Sequence, residues 1–216
     1  MTPIRTAWKV SLATVIVIIV AALTSRFWTA EMARGLICAE EIAPSDALLV
    51  DNFDPNYLVF ERAAALEKAR VAPTTLVPVE ASSDANVANP VSSGIAEVMI
   101  RQARLRAWRM IPIRQSEPIS LNTALQIRTH LVAERITSVV VVVPGFRSRR
   151  SSLVYRATLG TAGVVVHCVP VFGRTSPENW IRTWHGIQEV VEEFLKLQYY
   201  RLYVLPFVAP RAAGAR

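Results

Sequence analysis

The stretch that decides the fold spans residues 117–156 and has the sequence EPISLNTALQIRTHLVAERITSVVVVVPGFRSRRSSLVYR. In its middle, residues 138–143 are a serine followed by five valines, and Pro144 and Gly145 close this run. A β-branched run without polar alternation is typical of a strand buried on both faces of a parallel sheet. Apolar residues at helical spacing precede and follow it. The stretch therefore predicts a helix capped by Ser120, a buried strand, a basic turn and a second helix.

The rest of the chain continues this alternation of strands and helices. Further strands are predicted at residues 46–50, 74–79, 110–113, 163–169 and 202–208, and further helices at 57–70, 95–107 and 177–198. Between the second strand and the next helix, a long polar loop is predicted at residues 80–93. Apolar strands that alternate with helices indicate a doubly wound, mostly parallel sheet between two helical layers, a three-layer α/β/α sandwich.

The chain of 216 residues is long enough for one such domain and a short appendage. We expect a membrane anchor at residues 1–28, a connector at 29–45, the α/β domain at 46–208 and a frayed tail at 209–216.

The anchor prediction depends on an apolar run, residues 10–24, which carries no charge. At about 1.5 Å per residue this run alone is shorter than a bilayer core of roughly 30 Å, and extension through Trp28 brings it close to a full span. A cleaved signal peptide and a buried globular helix are the alternatives. The candidate cleavage sites place a bulky residue, Leu23 or Trp28, three positions before the cut, which argues against a cleaved signal peptide. The uniform apolarity and the basic leader argue against a core helix, so we expect an uncleaved single-pass transmembrane helix.

The charge of +7 comes mostly from arginine. The arginines are dispersed over predicted helices without a long basic run, so we expect a solvated helix face and no nucleic-acid partner. Basic residues before the apolar run slightly favour an inside amino terminus with the domain outside.

Two cysteines are present, Cys38 and Cys168. Their spacing allows a disulfide without demanding one, and two unpaired small apolar side chains are the expected interpretation. The three histidines lack partners at metal-ligand spacing, so no metal site is predicted.

Polar residues follow three of the predicted strands or begin the helices after them. In an open α/β sheet, ligands bind beyond the carboxyl ends of the strands, and a helix amino terminus offers free N–H donors to an anion. Arginine guanidinium groups match phosphate or carboxylate. The candidate ligand-binding residues are Asp51, Asn52, Ser120, Asn122, Thr123, Arg147 and Arg150.

Several of these residues also carry a resemblance to a known family. The shared features are the S-x-N-T pattern of residues 120–123 at a helix start, the buried strand after it, the pair Arg149-Arg150, Arg62 followed by alanines, and the late residues Trp184, Glu193, Lys196, Tyr199 and Tyr200. With this order of elements the chain resembles the YdcF/SanA/ElyC-like domain of bacterial proteins, roughly over residues 46–200.

The resemblance implies a Rossmann-like fold. It also implies anchorage in the bacterial inner membrane, a periplasmic domain, and a role in envelope or polysaccharide-precursor metabolism. One branch of the family is a soluble protein that binds S-adenosylmethionine. The resemblance therefore implies no single ligand for this chain, and it assigns no cofactor.

The chain departs from the family pattern at three places. Residues 51–54 and 80–82 stand where the family has glycine-rich turns, and Arg147 stands where it has a histidine. Without that histidine the most plausible general acid or base is lost, and the sequence leaves catalysis undecided.

We therefore expect a membrane-anchored envelope protein that binds an anionic small molecule or a glycan or lipid-linked precursor. A non-catalytic scaffold and a cytosol-facing binder of a nucleotide or S-adenosylmethionine are the alternatives.

Overall fold

The computed structural model describes residues 13–16, 27–52, 56–83 and 87–209. Most of the predicted anchor and residues 210–216 of the predicted tail lie outside these residues. Within the described part of the chain, no helix is both long enough and apolar enough to cross a bilayer.

Five strands form one sheet in which every pairing between the described strands is parallel. They are β1 (Ala47–Val50), β2 (Thr75–Glu80), β3 (Trp108–Ile113), β4 (Ser138–Pro144) and β5 (Val165–Val171). Their order across the sheet is β3-β2-β1-β4-β5, and β1 pairs with β2 on one side and β4 on the other. The prediction of a doubly wound, Rossmann-like α/β sheet is confirmed.

Helices cover both faces of this sheet. They are α1 (Tyr57–Lys68), α2 (Pro90–Ala103), α3 (Ile119–Ala133), α4 (Ser148–Leu159) and α5 (Trp184–Tyr199). Apolar residues of α1 and α2 pack on one face, and those of α3 and α4 pack on the other. All five valines of β4 are fully buried, because each face of the strand meets a helical layer.

The strand order creates a crevice between β1 and β4. The helix after β1 packs on one face and the helix after β4 on the opposite face, so the chain leaves these neighbouring strands in opposite directions. Open α/β sheets bind ligands at this kind of switch point.

Residues 29–45, the predicted connector, pack against the domain. Ala33 and Leu36 are buried with Phe146 and Leu197. The backbone N–H of Arg149 donates to the carbonyl of Leu36 at 2.9 Å, so this segment holds the turn after β4.

The expectation of two unpaired cysteines is wrong. Cys38 and Cys168 form a disulfide with 6.4 Å between their Cα atoms, within the usual range. The bond joins the packed segment to β5, across 130 residues of chain. Sequence spacing could not predict the pair, because only the folded sheet brings β5 beside the amino-terminal segment.

The predicted last strand, residues 202–208, is also wrong. Residues Tyr200–Val208 continue α5 as a wider helical segment with a π-type turn. Tyr200, Val204 and Val208 pack on the core at intervals of four residues, so the apolar spacing is that of a helix.

Two helix starts differ from the prediction. Helix α5 begins at Trp184 with Thr183 as its cap, not at residue 177, because the preceding residues form a turn that buries Trp180. Helix α2 begins at Pro90 with Asn89 as its cap, which shortens the predicted loop.

Candidate functional site

A cavity of about 430 Å³ lies where β1 and β4 end. Its volume is within the range of small-molecule sites, about 300–1,000 Å³. The lining includes Asp51, Gln115, Glu117, Ser120, Arg147, Arg150, Ser151, Tyr155, Lys196, Tyr199 and Tyr200. Four of the predicted ligand-binding residues, Asp51, Ser120, Arg147 and Arg150, therefore meet in one place although 99 residues separate the first from the last.

Asp51 directly follows β1 and is 2% exposed. Its Oδ2 accepts a hydrogen bond from the Ser151 hydroxyl at 2.9 Å, and its Oδ1 faces Arg147 Nη1 at 3.9 Å. This carboxylate is positioned by α4 from the far side of the crevice. No histidine lines the cavity among the described residues, so the serine–aspartate pair lacks the base of a hydrolytic triad.

Arg150 is held in a buried network at the start of α4. Its Nη2 and Nε lie 2.8 and 3.0 Å from Glu193 Oε2, and its Nη1 donates to the Ser120 hydroxyl at 2.6 Å. The guanidinium carbon lies 5.5 Å from the centre of the Tyr200 ring. Glu193 belongs to α5, so this ion pair joins α4 to α5. Because the Nε, Nη1 and Nη2 groups of Arg150 already donate to protein groups, few N–H donors of Arg150 are left for a ligand.

The other two cations of the cavity also have carboxylate partners. Arg147 Nε lies 3.6 Å from Glu193 Oε1. Lys196 Nζ lies 2.5 Å from Glu192 Oε1 and 3.8 Å from Glu193 Oε1. The predicted positive clamp is therefore largely neutralised by α5.

Ser120 does not cap α3, which corrects the sequence prediction. The helix begins at Ile119 after Pro118, and the Ser120 hydroxyl accepts from Arg150 instead. The backbone N–H of Ser120 donates to the Tyr200 hydroxyl at 3.0 Å. A protein group thus already occupies part of the helix end at which we expected an anion.

Three of the seven predicted residues lie apart from this cavity. The Asn122 amide donates to the carbonyls of Ser116 and Glu117 and so holds the loop before α3. Thr123 is 1% exposed on the buried face of α3. Asn52 lies on the other side of β1, where its amide donates to the Pro78 carbonyl at 3.2 Å.

The sequence analysis did not assign the aromatic wall of the cavity to the site, although Tyr199 and Tyr200 are among the residues that carry the family resemblance. Tyr155, Tyr199 and Tyr200 line the cavity, and burial followed by the charge of Asp51 raises the pKa of Tyr155 well above its usual value. The Tyr155 phenol therefore stays neutral. Helical spacing could have placed Glu193, Lys196 and Tyr200 on one face of a helix, but could not have placed that face at the cavity.

Comparison of the chain with family models, curated proteins and solved structures gives no match. The resemblance described above stays a prediction.

Proposed function

We propose that the cavity binds the sugar-bearing part of a small molecule, in an envelope protein whose domain lies outside the cytoplasm. Within the expected class of an anionic molecule or a glycan or lipid-linked precursor, this proposal narrows the ligand to a hydroxyl-rich one.

The lining chemistry supports this choice. Asp51, Glu117 and Gln115 offer acceptors for ligand hydroxyl groups, and Ser151 offers a hydroxyl. Tyr199 is 48% exposed at the wall of the cavity and stacks on Tyr203 with 5.6 Å between the ring centres. The part of its ring that Tyr203 leaves uncovered is available to a flat apolar face such as that of a sugar. A few polar groups beside aromatic rings are the usual composition of a small-molecule site.

The charge balance argues against a strongly anionic ligand. Each of the cations Arg147, Arg150 and Lys196 has a carboxylate within 4.0 Å. A multiply charged phosphate would therefore have to compete with Glu193 for the guanidinium groups of Arg147 and Arg150. A neutral or singly charged ligand avoids that competition.

The disulfide supports the extracytoplasmic location. Structural disulfides persist in oxidising compartments and are rare in the cytosol, and Cys38 and Cys168 are 6% and 0% exposed. The apolar run at residues 10–24 fits an amino-terminal anchor, as the sequence predicts.

Binding is tested by calorimetric titration of the full chain with neutral mono- and disaccharides, their 1-phosphates and inorganic phosphate. We expect saccharide binding that Tyr199→Ala weakens about tenfold, because the exposed part of the aromatic ring is lost. Leu195→Ala is the matched control, since Leu195 is 61% exposed on the same helix and does not line the cavity. Binding of inorganic phosphate alone would overturn the proposal.

Location is tested by a thiol-reactive probe applied to intact cells and then to denatured lysate without reductant. We expect no labelling of Cys38 or Cys168 until a reductant is added. Two labelled thiols in the unreduced lysate would place the domain in a reducing compartment.

A further inference from the structure

A second cavity, of about 350 Å³, lies beside the first at the carboxyl ends of β1, β2 and β3. Gln115 lines both cavities. The consecutive residues Asp51 and Asn52 line the first and the second cavity respectively, as expected where successive side chains leave a strand on opposite sides. The two cavities are therefore neighbours along one edge of the sheet.

One residue that lines the second cavity, Asn52, carries a buried acceptor. The Asn52 Nδ2 donates to the Pro78 carbonyl, and the Asn52 Oδ1 is buried without a hydrogen-bond partner among the described residues. A buried amide oxygen ordinarily accepts a hydrogen bond. A hydroxyl or N–H group of a ligand satisfies that requirement.

The lining of this cavity also includes exposed apolar side chains. Val91 and Ile95, one helical turn apart near the start of α2, are 70% and 42% exposed and both line the cavity. Pro78, Val79 and Ile113 add further apolar surface. A lining that combines apolar side chains with a few polar groups suits a ring that carries hydroxyl or N–H groups on its edge.

Among the described residues that line this second cavity none is a cation, and Glu80 is the acidic one. An anionic group is therefore disfavoured here, and an uncharged group that donates hydrogen bonds is favoured.

We propose that the second cavity is a second subsite of the same site, and that it takes an uncharged, hydroxyl-bearing ring joined to the one in the first cavity. The ligand is then at least disaccharide-sized, and Gln115 lies at the junction of its two rings. This inference depends on the proposed function, because it assigns the first ring to the first cavity.

The test is methyl NMR of the full chain during titration with a neutral disaccharide and with its constituent monosaccharide. Val154 reports on the first cavity, and Val91, Ile95 and Ile113 report on the second. We expect the disaccharide to shift both sets of methyl signals and to bind about tenfold more tightly than the monosaccharide, as one added hydrogen bond with apolar contact predicts.

A variant that fills the second cavity sharpens the test. Val91→Trp is expected to remove the tenfold advantage of the disaccharide and to leave monosaccharide affinity unchanged. Val98→Trp is the matched control, because Val98 is 60% exposed on the same helix and does not line the cavity.

The outcomes separate the two proposals. If Val154 alone responds to the disaccharide, the second subsite is refuted and the proposed function stands. If only the methyl groups of the second cavity respond, the function assigned to the first cavity is refuted. If neither set responds, both proposals fail. An unchanged disaccharide affinity in Val91→Trp also refutes the second subsite.

Discussion

At the scale of single residues, the site is dominated by the buried pair of Arg150 and Glu193. Each side chain is 6–7% exposed, and the guanidinium group spans both carboxylate oxygens. A buried pair adds little net stability over an apolar pair of the same shape, because desolvation of both charges opposes their attraction. Loss of one partner is different, since it leaves the other charge buried and unpaired.

Glu193→Ala is therefore expected to lower the free energy of unfolding by about 3–5 kcal/mol, measured by urea denaturation. Glu192→Ala is its matched control: its pair with Lys196 is 43–50% exposed and is expected to contribute less than about 1 kcal/mol. Equal effects of the two substitutions would show that Arg150 does not depend on Glu193.

Two helical glycines provide a second contrast at this scale. A Cβ at Gly186 would lie 2.3 Å from the Trp180 carbonyl oxygen, whereas one at Gly94 meets nothing within 4 Å. Gly186→Ala is expected to lower the melting temperature, because the added Cβ would force the backbone of α5 or of the Trp180 turn to move. Gly94→Ala is expected to add about 0.5–1 kcal/mol of stability, because alanine favours the helix. The same direction of change in both would contradict the close packing of α5 on the Trp180 turn.

At the scale of elements, the starts of β1 and β4 are joined by one carboxylate. Asp46 Oδ2 accepts from the Thr137 N–H and hydroxyl, each at 2.8 Å, and from the Ser138 N–H at 3.0 Å. These bonds, those to Thr137 first, lower the pKa of Asp46. The two strands that form the crevice are thus aligned at the end opposite the cavity.

The lowered pKa gives a pH dependence with a defined sign. The unfolded carboxyl titrates near pH ~3.9, so the stabilisation by Asp46 is complete above that pH and is lost as pH falls through the lower folded pKa. Asp46→Ala is expected to be less stable than the natural chain at pH 7, with the difference shrinking below pH ~4 in denaturation curves. A difference that stays constant with pH would mean that the charge of Asp46 has no part in joining the strands.

Elements with strong local patterns were predictable, and those decided by tertiary packing were not. The five consecutive valines of β4 were predicted correctly, because a continuous β-branched run is typical of a parallel strand that is buried on both faces. Residues 202–208 are apolar and aromatic, which suits a strand as well as a helix, and packing of Tyr200 and Val204 on α4 selected the helix.

At the scale of the whole molecule, the disulfide ties the amino-terminal segment to the domain. The Cys38 N–H donates to the Ser148 hydroxyl at 3.0 Å, and Ser148 in turn donates to the Gly145 carbonyl at 2.5 Å. The disulfide therefore lies directly beside the turn that carries Arg147.

Replacement of both Cys38 and Cys168 by serine is expected to destabilise the protein by about 2–4 kcal/mol, since the bond closes a long loop of the unfolded chain. Guanidinium denaturation of the variant and of the natural chain, each with and without reductant, measures this effect. Reductant is expected to lower the midpoint of the natural chain alone, and a midpoint that it leaves unchanged would contradict a stabilising disulfide.

The amino-acid sequence by itself determined the five strands with the helices between them, the parallel sheet and the side of the sheet at which polar residues gather, because hydrophobic periodicity and strand-end chemistry are local properties. The tertiary structure alone decided the pairing of the cysteines, the separation of Asp51 from Asn52 into two cavities, and the neutralisation of Arg150 by Glu193. These three features depend on which distant segments meet across the sheet, and no spacing along the chain records that.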